Sequence, residues 1–156
     1  MLPMLTLALA LYAGIVSLVP PVQGSYVVRT MNGKGLPTDI RMPTPAGAFR
    51  LFRLEQGVLT LKPAGRFTLY FRYYHQLVQR GARPTSTPVL SDSETGTYRV
   101  DGGKLLLSPA KKAKERSRPN IAATLVGEEL RASYVLMNGT LPYRVTLVFR
   151  RDASFW

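Results

Sequence analysis

The chain has 156 residues and no cysteine, which excludes disulfides, thiolate metal sites, thiol nucleophiles and lipid attachment through an N-terminal cysteine. Its 21 basic and 9 acidic residues give a net charge of +12, which favours polyanions at low salt, whether nucleic acid, anionic lipid or acidic polysaccharide. The bases are mostly arginine in a chain also rich in alanine, glycine and proline, so biased codon usage is preferred to a polyanionic partner as the explanation of the excess.

No charged side chain precedes Arg29. Leu5 to Val19 form an apolar run of the length of a signal-peptide core. Pro20 and Pro21 then break any helix, and Val22-Gln23-Gly24 offers a small-residue cleavage site. Residues 1–24 are therefore expected to be a signal peptide cut after Gly24, sending residues 25–156 to the periplasm or the exterior as one domain. Because no Lys or Arg precedes the run, an uncleaved membrane anchor is the alternative.

Beyond the leader the period changes to two. Short runs at Tyr26 to Arg29, Phe49 to Leu54, and Leu59 with Leu61 precede a long one from Arg66 to Gln79. There Phe67, Leu69, Phe71, Tyr73, His75 and Leu77 share one face, and Arg66, Thr68, Arg72 and Gln76 share the other. Similar alternation marks Tyr98 and Val100, Leu105 and Leu107, Ile121 to Leu125, and Leu130 to Tyr134. It is clearest at Leu141, Tyr143, Val145, Leu147 and Phe149. Turn residues separate the runs: Pro63-Ala64-Gly65, Asp101-Gly102-Gly103, Gly127-Glu128 and Asn138-Gly139, the last favouring a type I′ hairpin. Short turns make neighbouring strands antiparallel. The pattern predicts an all-β, up-and-down meander of about eight or nine strands, closed as a barrel or left as a half-barrel.

Three stretches read as loops. They are the irregular Pro37 to Gly47, the Pro-, Ser- and Thr-rich Arg80 to Ser93, and the basic Pro109 to Pro119. No second domain is expected.

The segments "YVVRTMNGKGLP", "GVLTLKPAGRFTL", "ETGTYRVDGGKLLLSP", "ATLVGEEL" and "YRVTLVFRR", in that order, resemble the lipocalin-like domains of small bacterial envelope proteins over Tyr26 to Arg151. The resemblance implies an antiparallel barrel-like sheet behind an export signal, and it brings no shared catalytic residues. The Gly-x-Trp of classical lipocalins is missing, since the single Trp is Trp156.

The inward parity of Phe67, Phe71, Tyr73, His75, Tyr98, Tyr134 and Tyr143 makes these the candidate lining of a lumen for a small apolar or amphipathic molecule. The same aromatics could instead fill the barrel, leaving a structural or interaction domain of the envelope. One histidine without cysteine supplies too few ligands for most metal sites, so no metal and no cofactor are expected. Glu128 and Glu129 alternate across a strand and do not converge on a substrate, and no nucleophile elbow or phosphate loop is present, so an enzyme is not expected. Lys111, Lys112, Lys114, Arg116 and Arg118 are candidates for contact with an anionic envelope surface. Export argues against nucleic acid, and a monomer is expected.

Overall fold

The structure, a computed structural model, describes residues 22–44, 48–79, 81, 83, 85–86, 88–110, 118–138 and 141–155. Strand β1 (Gly24–Met31) leads into two short strands, β2 (Lys34–Gly35) and β3 (Thr38–Pro43). The long hairpin of β4 (Phe49–Lys62) and β5 (Arg66–Val78) follows, then β6 (Thr85–Ser86), β7 (Leu90–Asp101), β8 (Lys104–Pro109), β9 (Ile121–Val126), β10 (Glu129–Asn138) and β11 (Leu141–Arg151). The expected leader lies almost wholly outside the described residues.

Eight of these strands close a barrel. β4, β5, β7, β8, β9, β10 and β11 pair antiparallel with their successors, β11 pairs with β1, and β1 pairs with β4. Tight turns set this order. Asp101 pairs with Lys104 across Gly102 and Gly103, both with the positive φ that a two-residue type I′ hairpin requires. The last hairpin pairs Asn138 with Leu141, so Asn138 belongs to the ladder and the connecting residues 139 and 140 lie outside the described set.

The alternation reads through to burial. Phe67, Leu69 and Phe71 of β5 and Val145, Leu147 and Phe149 of β11 point into the core, while Arg66, Arg72, Arg144 and Arg150 are exposed. At one end the interior is filled: Tyr26, Leu59, Leu61, Phe67, Leu105, Leu107 and Phe149 are each about 1–2% exposed. Phe67 lies over Gly96, where an added Cβ would come within 2.7 Å of the ring. Phe71 likewise lies over Gly57, where a Cβ would meet the ring at 2.9 Å. Each glycine thus leaves room for the aromatic directly opposite it on the next strand.

The other end is wider. β1 holds β4 only from Gly24↔Leu61 to Val27↔Val58. Beyond that, β2 pairs with β1 and β3 pairs with β4, so the β2–β3 excursion fills the seam between them. A register shift between Leu54 and Gln56 marks the place where β4 changes partner.

Two stretches expected to be loops are strands. Thr38–Pro43, within the expected Pro37 to Gly47 loop, is β3, because Thr38 and Met42 bury the face that covers the seam. The end of the expected Arg80 to Ser93 loop is the start of β7, paired with β5 from Leu90↔Tyr73 onward. The residues on either side of Gly24 also contact the barrel. Gly24 pairs with Leu61, Val22 packs against the core, and Arg151 donates to the Gln23 carbonyl at 2.7 Å.

Candidate functional site

The wide end holds a cavity of about 310 Å³. Its apolar wall comes from β4 and β5, where the inward parity places Phe52, Phe71 and Tyr73 side by side. Phe52 and Tyr73 stack with centroids 5.2 Å apart, and Phe71 meets Tyr134 of β10 edge-on, also at 5.2 Å. Such offset and edge arrangements align the positive edge of one ring with the negative face of the next.

The adjoining wall is polar, since β7 pairs directly with β5 and sets Asp92 beside Phe71. β7 places Asp92 and Glu94 inward at the same parity as Gly96 and Tyr98. Glu94 is 4% exposed, and a carboxylate that buried needs a counter-charge. Arg118, just before β9, supplies it: Nη1 donates to Glu94 Oε1, and Nη2 donates to Asp92 Oδ2 at 3.3 Å. The Tyr134 hydroxyl donates to the same Glu94 oxygen at 3.4 Å. Among the described residues, Glu94 Oε2 is buried with no hydrogen-bond partner. Burial pushes the Tyr134 hydroxyl up to about 12, with Arg118 opposing the shift and Asp92 adding to it.

Farther out stand Arg50, His75 and Arg144. Burial, and then the Arg50 charge, lower the His75 pKa, so the ring is held toward its neutral form. Arg144 Nη1 donates to Ser133 Oγ at 3.0 Å.

Of the expected lumen residues, Phe71, Tyr73, His75 and Tyr134 are brought together here. The other three lie elsewhere. Phe67 is packed at the filled end. Tyr98 is there too, its hydroxyl donating to the Lys62 carbonyl at 3.0 Å. Tyr143 lines a separate surface groove beside β3, with Met31, Ile40 and Leu51. One parity on a barrel strand means inward, but height along the barrel axis decides which inward residues meet.

Arg118, expected among the bases that contact an anionic surface, turns into the cavity and holds two carboxylates. Lys111, Lys112, Lys114 and Arg116 lie outside the described residues.

No family model, curated protein or solved structure matches this chain. The site is therefore read from its own chemistry. Among the described residues no group of three His, Asp or Glu side chains could hold a metal ion, and no helix is long and apolar enough to cross a membrane.

Sequence reasoning missed Phe52, Asp92, Glu94 and the inward turn of Arg118. A signal for the acids was present, because Asp92 and Glu94 keep the two-residue spacing of Gly96 and Tyr98. The serines and threonines between them disguised the strand.

Proposed function

We propose that this chain is an exported, non-enzymatic, lipocalin-like binding protein that takes a small amphipathic molecule into the open half of its barrel. The observation that carries this reading is the 310 Å³ cavity, in which an aromatic wall adjoins a polar cluster built on the buried Glu94. Ligand sites generally combine an apolar lining of about that size or larger with a few convergent polar groups. A barrel serving only as a structural or interaction domain has no need to bury Glu94, with half-buried Asp92 and Arg118 around it, beside an open space.

The test is native mass spectrometry of protein taken from its own envelope fraction, followed by titration of a neutral fluorescent lipid probe. A co-purifying mass and saturable binding are expected, lost when Tyr73→Ala and His75→Ala are combined. Binding that survives the double substitution would move the site elsewhere, and no binding at all would favour the structural reading.

The basic surface is the second element of the proposal. Its partner is an anionic envelope surface, supported by the net charge of +12 and by exposed Arg66, Arg72, Arg99, Arg131, Arg144 and Arg150 on the outer faces of the strands.

A further inference from the structure

We propose that the inner end of the cavity selects a molecule whose head group donates hydrogen bonds, a protonated amine ahead of an alcohol, and disfavours a carboxylate. This rests on the binding reading above and names the class of ligand.

Glu94 carries the argument. Its Oε1 accepts from Arg118 and from Tyr134, whereas Oε2 is buried and has no hydrogen-bond partner among the described residues. An unmet buried acceptor is costly, the more so on a charged group, and in native proteins such an atom calls for an unseen partner. Glu94 lines the cavity while its Oε2 has no exposed surface, so a molecule seated there supplies the missing proton once the carboxylate turns toward it.

The walls narrow the choice further. Phe52, Phe71 and Tyr73 receive an apolar body, and aromatic faces also attract a cation. An ammonium on Oε2 forms a charge-assisted bond, stronger than the neutral one an alcohol makes. An ionised carboxylate brings no proton and meets a like charge.

A competing influence has the opposite sign. Arg50, half-buried and with its Nε unpartnered among the described residues, and the exposed Arg144 at the cavity mouth, together with the net charge of +12, draw anions toward the protein. Exposed charges are screened within about 8 Å at physiological ionic strength, while Glu94, more deeply buried than Arg50, is screened least. Near 0.15 M salt the Glu94 contact therefore decides the order of affinities. If the general basic character decided instead, the order would be reversed.

The experiment is calorimetric titration of the unaltered chain with octylamine, octanol and octanoate near neutral pH and 0.15 M salt. Octylamine is expected to bind roughly tenfold more tightly than octanol, the size of a charge-assisted hydrogen bond, with octanoate weakest. In Glu94→Gln, checked for folding by circular dichroism, the advantage of the amine over the alcohol should vanish. The ligand series on the unaltered chain stands whether or not that variant folds. Octanoate binding as tightly as the amine, equal binding of amine and alcohol, or an amine preference that survives in folded Glu94→Gln would each overturn the head-group assignment while leaving the cavity as a binding site. Failure of all three ligands and of the neutral lipid probe to bind would overturn the binding reading itself.

Discussion

Tyr134 sits where the aromatic and polar walls meet, against Phe71 and within reach of Glu94. Its hydroxyl, pushed up to about 12 mainly by burial, stays protonated in the folded protein after the unfolded chain has begun to release that proton near pH 10. The folded state then binds more protons than the unfolded one, so this contribution to stability is complete below about pH 10 and is lost as the pH rises toward 12. The loss should be of order 2 kcal/mol, following the size of the shift. Denaturant unfolding at a series of alkaline pH values measures it, and Tyr134→Phe should flatten that part of the profile. An unchanged alkaline slope in the variant would place the effect on another group.

At the scale of elements, β1 closes the barrel, because it joins β4 early in the chain to β11 at its end. Its approach is part of the same structure. Val22 packs on the core, its carbonyl accepts from the Tyr26 hydroxyl at 2.8 Å, and the Gln23 carbonyl accepts from Arg151. A chain beginning at Ser25 should therefore be less stable than one beginning at Val22, by about 1–3 kcal/mol for two lost hydrogen bonds and the lost packing of Val22. Chemical denaturation of the two forms gives the comparison, and equal midpoints would show that these three residues add nothing. The strands differ sharply in how readable they were. β5 and β11 were evident because their inward residues are apolar and their outward residues polar over ten or more positions. β3 was hidden by its prolines and its mixed face, and the front of β7 by placing acids on the side where the binary pattern expects apolar groups. The lumen aromatics on β5 and β10 were legible for the first reason. Their carboxylate partners were not, for the second.

Across the whole molecule the barrel is filled at one end and open at the other, so filling and binding are not competing descriptions of its aromatics. Phe67 and Tyr26 belong to the filled half, Phe52 and Tyr73 to the open one. The surface is a separate matter of charge. Neutralising Lys111, Lys112, Lys114 and Arg116 together should weaken salt-sensitive adsorption to phosphatidylglycerol vesicles by roughly two to three orders of magnitude, at about 1 kcal/mol for each charge near the surface. Arg118 is left intact in that variant because it holds Glu94 and Asp92. Vesicle sedimentation across a salt series reads the result, and unchanged adsorption would assign the attraction to the strand arginines alone.

The seam that β1 makes with β11 joins Tyr26 to Arg151 and Met31 to Leu147. Neighbouring hairpins can form as soon as their own residues leave the ribosome, but this pairing must wait until nearly the whole domain has been synthesised. Contacts so distant along the chain require a large loop-closure entropy before they return any energy, and proteins rich in them fold slowly. Before β11 is made, the paired strands therefore form an open sheet with both edges unpaired, the kind of state that chaperones recognise. Sealing is a late event that depends on the last long strand, so a chain stalled before β11 would present two sticky edges and no closed interior.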